Sequence, residues 1–160
     1  MATNTRAARL NAYEPPLLDD VNRRILQELQ ADARLTMAEL GRRVSLSAPA
    51  VADRVARLER AGVITGYQAQ VDPKQLGYPI AVVVRIRPAS QKLHKIPEVA
   101  AEIPEIVECR RITGEDCYVI DLHLRSMDEL EAILDRFVPH GQTTTSIVHS
   151  SPVPRRALPY

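Results

Sequence analysis

Apolar residues in LLDDVNRRILQELQ fall at Val21, Ile25, Leu26 and Leu29, which puts them on one helical stripe and predicts a helix, with Asp19 placed to cap its start. Thr36 and Glu39 in TMAEL announce a second helix through a capping box, in which each side chain satisfies a free backbone N–H of the first turn. That helix turns Met37, Leu40 and Val44 inward and stops near Ser45. In SLSAPAVADRVARL, Ser47 is placed as an N-cap and Leu46 as a staple against Val51, while Pro49 falls in the first turn, where a missing N–H costs nothing. Val51, Val55 and Leu58 then face the first two helices, and Gly62 ends the third. VITGYQAQV reads as a short hairpin, or wing, turning at Thr65 and Gly66.

The texture changes after Val71. DPKQLGYP is a hinge marked by Pro and Gly, and IAVVVRIRP is a β-branched run typical of a strand. Ile96, Val99, Ala100 and Ile103 mark a short helix ended by Pro104; VECRRI alternates as a strand, and CYVIDLHL alternates cleanly, with Tyr118, Ile120, Leu122 and Leu124 on one face. Ser126 and Glu129 suggest another capping box, ahead of Leu130, Ile133, Leu134 and Phe137 at helical spacing, and TTTSIVHS closes as a last strand.

The predicted class is therefore α+β: an N-terminal winged helix-turn-helix followed by a C-terminal ferredoxin-like βαββαβ domain. The expected divisions are a flexible leader (1–16), the DNA-binding domain (17–66), a strand or hinge linker (67–79), the sheet domain (80–150) and a C-terminal tail (151–160). The tail carries Arg155 and Arg156, read as solvated. Both helices of a ferredoxin-like domain cover one face of the sheet. Val119 and residues of the first strand would lie on the other, a poor surface to leave in water, which predicts a homodimer.

In a winged helix-turn-helix the third helix enters a DNA major groove by its N-terminus. The third helix here begins with small residues, which lets backbone and helix dipole approach phosphate and base edges. The candidate contacts to double-stranded DNA are Ser47, Ala48, Pro49, Ala50, Asp53, Arg54 and Arg57, with the two arginines able to reach the backbone or a guanine edge. The bland alternative is a three-helix packing module with a solvated arginine face.

Composition changes this picture little. The chain of 160 residues is 45% hydrophobic and 26% charged, without Trp, and its net charge of +1 predicts no general affinity for polyanions. Locally, however, Arg42, Arg43, Arg54, Arg57 and Arg60 stand against only Asp53 and Glu59, the footprint of a phosphate-binding surface. Cys109 and Cys117 have no metal-ligand spacing and read as reduced thiols. With no apolar leader and no membrane-length apolar run, a soluble cytoplasmic protein without a membrane is expected.

An enzyme is the first competing reading, but His94, His123, His140 and His149 are scattered, and no nucleophile, metal or phosphate-loop spacing occurs. Asp121 and His123 share a strand face and are expected to form a buried hydrogen-bonded pair rather than an acid–base couple. No metal or cofactor is expected. The second competitor is a ligand-sensing or protein-binding module whose helices do not touch DNA.

The run from LDDVNRRILQELQADARLTMAELGRRVSLSAPAVADRVARLERAGVITGY to RRITGEDCYVIDLHL and TTTSIV resembles the Lrp/AsnC, or feast/famine, regulators of bacteria and archaea, from about Leu18 to Ser150. The resemblance implies a transcription factor that dimerises through its ferredoxin-like domain, often assembles into octamers, regulates its own gene, and binds a small effector, usually an amino acid, between second domains. The family pattern Gly-x-x-Asp-Tyr is matched at Gly114 and Tyr118, whereas Cys117 takes the Asp position and the acids stand earlier, at Glu115 and Asp116. Thr143 and Thr145 would add hydroxyls to the same site. A glycine turn that bares backbone N–H and C=O groups suits an amino acid's carboxylate and ammonium. A plain β-turn whose Gly supplies positive φ is the other reading.

Overall fold

The computed structural model describes residues 18–158; the expected leader at 1–16 and the last two residues of the tail lie outside them. The described residues divide into two compact units, 18–69 with 156–158 and 70–155.

The first unit holds α1 (Asp20–Ala31), α2 (Met37–Val44) and α3 (Ala48–Arg60). Asp19 caps α1 by accepting the Asn22 N–H at 2.7 Å, and Thr36 caps α2 through the Glu39 N–H at 3.1 Å. The reciprocal half of the capping box at α2 is absent, because the Glu39 carboxylate turns instead to Arg42 and Arg43. Ser45 ends α2 in the left-handed region (φ 59°), the Leu46 N–H returns to the Gly41 carbonyl at 2.8 Å, and Ser47 starts α3. The turn between the two helices is so tight that a Cβ on Gly41 would stand 2.6 Å from the Leu46 carbonyl oxygen. Ile25, Leu29, Leu40, Val44, Val51, Val55 and Leu58 form the buried core, with Leu46 packed against it as the predicted staple.

The predicted hairpin after α3 is not formed. Gly62 (φ 70°) closes the helix with a Schellman pair, Gly62 N–H to Glu59 O and Val63 N–H to Leu58 O, both 2.9 Å. Val63 and Ile64 fold back against the helical core, so their apolar side chains are half-buried there without a strand partner. Residues 65–71 carry no strand ladder, and the linker's only regular element is a 3-10 turn at Pro73–Leu76.

The second unit follows the expected order: β1 (Ile80–Pro88), α4 (Lys95–Ala101), β2 (Ile106–Arg111), β3 (Tyr118–Leu124), α5 (Asp128–Asp135) and β4 (Gly141–Ile147). The strands form one antiparallel sheet in the order β2-β3-β1-β4. Val82, Val84, Ile86, Tyr118, Ile120, Leu122 and Leu124 are buried with Ile96 of α4, Ile133 of α5 and Phe137 of the turn that follows α5. Ser126 does not cap α5: the helix starts at Asp128 without a side-chain cap, and Glu129 accepts the Arg125 N–H at 2.9 Å, pulling that box one residue back.

The other sheet face differs from the apolar surface predicted. Register rows place Val83 beside Asp121 and Val119 between Arg85 and Arg110, and Asp121 pairs with Arg110 across the strands rather than with His123. Opposite charges on adjacent strands satisfy one another, so the half-buried valines stand among ion pairs.

Candidate DNA-reading helix and effector loop

Three inward residues in α3, Val51, Val55 and Leu58, leave the rest of its circumference for other work. Pro49, Ala50, Asp53, Arg57 and Arg60 are exposed and follow one another along one side of the helix, while Ala48 is half-buried. Ser47 is exposed and caps the helix by a long bond, 3.4 Å from its hydroxyl to the Ala50 N–H. The first turn holds no acid, so the partial positive charge of the helix end is not neutralised from within α3.

The two arginines predicted as partners on α3 are placed differently. Arg57 is 59% exposed and paired with Asp53 one turn earlier on the same surface, which holds the Asp53 carboxyl below the usual carboxylate range. Such an exposed pair is weak and readily exchanged for a phosphate. Arg54 is 32% exposed and turned toward α1, with Nη1 donating to Asp19 Oδ2 at 2.7 Å and to Asn22 Oδ1 at 3.0 Å. The same hydrogen bond holds the Asp19 carboxyl below its ordinary value.

On α2, Arg42 is exposed beside Glu39, and Arg43 bridges Glu28 at 2.8 Å and Glu39 at 3.2 Å. Arg60, omitted from the predicted contacts although visible in the arginine cluster, belongs to the exposed stripe. Beyond α3, the Tyr67 hydroxyl donates to Glu59 at 2.9 Å. Burial first, and then that carboxylate, push its pKa up to about 12.

In the sheet unit the predicted effector residues divide between two faces. The loop between β2 and β3 closes with Ile112 N–H to Cys117 O at 2.8 Å, and Gly114 within it has φ 111°, which an L side chain rarely adopts. Glu115 pairs with Arg87; Asp116 lies 3.8 Å from Arg85 and 3.7 Å from Arg87. These arginines alternate with the buried Val84 and Ile86 and so stand on the open face.

Tyr118, 6% exposed, lies on the covered face in one register row with Ile86 and Thr143, and Thr145 continues that face beside Val84. Cys117 is half-buried against the same core and donates its N–H to Ile86 O at 3.0 Å. Arg85 and Arg87 were not among the predicted residues. Their signal was the alternation in VVVRIRP, two cations on the side of a strand opposite its apolar residues.

Among the described residues no helix is long and apolar enough to cross a membrane. Residues 18–65 match the winged helix-turn-helix DNA-binding profile, and residues 81–158 match the Lrp/AsnC ligand binding domain. The chain is 35% identical to the HTH-type transcriptional regulator LrpC of Bacillus subtilis, over 83% of this chain and 92% of that protein. The solved structure of LrpC superposes with a TM-score of 0.80, covering 84% of this chain and 96% of the other. The proline dehydrogenase transcriptional activator of Rhodobacter capsulatus is 38% identical over 82% of this chain and 90% of its own length. A Neisseria meningitidis transcriptional regulator solved in complex with L-Met is 26% identical, with a TM-score of 0.80 over 89% of this chain and 96% of that one. Taken with a helix-turn-helix followed by a β2-β3-β1-β4 sheet domain, these likenesses establish that the chain belongs to the Lrp/AsnC family of DNA-binding transcriptional regulators.

Proposed function

We propose that this regulator binds a pseudo-palindromic duplex as a homodimer, each α3 entering a major groove, and that an amino acid bound at the sheet domain adjusts its affinity. The observation that carries the DNA half is the exposed stripe Pro49, Ala50, Asp53, Arg57 and Arg60 on a helix whose first turn is small and free of acid. Small side chains let backbone N–H groups approach phosphates, and Arg57, Arg60 and Arg42 of α2 supply the cations. With so little hydrogen-bonding chemistry in the first turn, DNA shape and bending carry much of the sequence preference. Half-sites stand one helical turn, or a multiple of it, apart.

The effector half rests on the β2–β3 loop. Arg85, Arg87, Glu115 and Asp116 form a balanced cluster in which a carboxylate can replace an acid on arginine and an ammonium can replace arginine on an acid. The proposed contacts remain Gly114, Glu115, Asp116, Cys117 and Tyr118 with Thr143 and Thr145, and the arginines join them. The relative solved with L-Met supports an amino acid as the ligand class. Effector binding couples to DNA affinity by about 1–3 kcal/mol, through dimer spacing or assembly into larger rings such as octamers.

Fluorescence anisotropy on a duplex from upstream of the protein's own gene, against a scrambled duplex, with each amino acid added in turn, tests both halves. Selective, salt-sensitive binding shifted by one amino acid is expected. Equal affinity for both duplexes overturns the DNA half, and selective binding that none of the amino acids shifts overturns the effector half.

A further inference from the structure

We infer that Arg54 is a positioning residue for DNA recognition: by tying the middle of α3 to the capped start of α1, it sets where the exposed stripe of α3 is presented, and it does not itself contact phosphate. The inference rests on α3 being the DNA-reading helix. One guanidinium nitrogen serves two acceptors, Asp19 Oδ2 at 2.7 Å and Asn22 Oδ1 at 3.0 Å, across 35 and 32 residues of chain. Both acceptors are held in place. Asp19 accepts the Asn22 N–H at 2.7 Å as the cap of α1, and Asn22 is the buried polar residue of the chain's described core, 6% exposed.

The need for such a tie follows from the rest of the interface. Val51, Val55 and Leu58 meet Ile25 and Leu29 through apolar contact, which is strong but carries no directional bond of its own. A charge-assisted bond to a fixed cap is directional, and a reading helix displaced by about an ångström no longer meets its base edges. Arg57 and Arg60, on the open side, have no comparable anchor on another helix among the described residues.

The test compares Arg54→Ala, Arg54→Lys, Asp19→Asn, the Asp19→Asn/Arg54→Ala double variant and Arg57→Ala in the full chain. Affinity is measured on the specific and the scrambled duplex across a salt series, with the folded fraction followed by circular dichroism. Asparagine remains a good N-cap, so Asp19→Asn removes the charge but keeps the start of α1. Simple electrostatics makes Asp19→Asn bind DNA more tightly, since a negative charge is lost; positioning makes it bind the specific duplex more weakly.

The expected result is a loss of about tenfold in the specific-to-scrambled ratio for Asp19→Asn and for Arg54→Ala. The double variant should be no worse than either single one. The salt slope should stay unchanged, and Arg54→Lys, whose single nitrogen can serve both oxygens, should partly recover the ratio. Arg57→Ala, by contrast, should lower the salt slope by about one on both duplexes. The inference is overturned by a salt slope reduced in Arg54→Ala, by tighter binding in Asp19→Asn, by additive losses, or by equal losses on both duplexes that track the folded fraction. If Arg57→Ala changes nothing, it is the assignment of α3 as reading helix that fails.

Discussion

The two units of this protein place their candidate recognition chemistry by different routes. In the helical unit the candidate surface is a single helix: Pro49, Ala50, Asp53, Arg57 and Arg60 are neighbours because a helix returns to the same side every three or four residues. In the sheet unit the β2–β3 loop is completed by Arg85 and Arg87, which the chain made nearly thirty residues earlier, Arg87 and Glu115 being 28 apart. A helical site is thus largely a local product, whereas a sheet site is assembled by strand register. Arg54 shows the limit of the first route, since its local address on α3 suggested DNA and its long-range partners made it a tie to α1.

The largest test of this difference lies in the cores. Phe137→Ala, at a side chain 1% exposed, should cost the sheet unit about 3–5 kcal/mol and disorganise the register that brings Arg87 to the loop. Leu58→Ala, at 0% exposure, should cost the helical unit about 2–5 kcal/mol and remove specific DNA binding. Urea unfolding followed by circular dichroism, with DNA and effector titrations at low urea, would separate the two; loss of DNA specificity from neither variant would break the comparison.

The next effect concerns glycines that serve different ends in the two units. Gly41→Ala drives a methyl group to 2.6 Å from the Leu46 carbonyl oxygen and should destabilise the helix-turn-helix by about 1–3 kcal/mol. Gly114→Ala meets nothing within 4 Å but must hold φ 111°, costing about 1–2 kcal/mol, confined to the loop. Denaturation midpoints should therefore fall more for Gly41→Ala, while effector affinity falls only for Gly114→Ala.

Smaller still is Arg87→Ala. Its pairs with Glu115 and Asp116 are surface ion pairs, so stability should change by less than about 0.5 kcal/mol. Calorimetric titration with the amino acid found active in the DNA assay should nevertheless show weakened binding, because a carboxylate partner has gone. A large drop in thermal midpoint would make the cluster structural instead.

The mildest expectation is a titration. The Tyr67 pKa, pushed up to about 12, means that the folded state favours the protonated phenol. Its contribution to stability is fully present below the ordinary tyrosine value near 10 and is lost as pH rises from there through about 12. Ultraviolet difference titration of the wild type against Tyr67→Phe should show a late phenol in the wild type that the variant lacks. Ordinary ionisation near 10 would mean that neither the burial of the ring nor the Glu59 bond persists in solution.

Apart from the hairpin after α3, the helices and strands and their order were legible from the sequence alone, because amphipathic periods, caps and β-branched alternation act over one or two turns of chain: Asp19, Thr36, Ser47 and Gly62 sit at helix ends as their chemistry demands. Pro49, Ala50, Asp53 and Arg57 of the α3 stripe were legible for the same reason, whereas Arg60 was left out of the predicted contacts. Tertiary structure alone decided where certain side chains are spent: Arg54 goes to Asp19, Glu39 leaves its capping box for two arginines, Asp121 chooses Arg110 over His123, and the apolar Val63 and Ile64 return to the helical core instead of forming a wing strand. A charge takes whatever partner comes within a few ångströms, and that proximity is set by how helices pack and strands register across tens of residues, which no local pattern encodes.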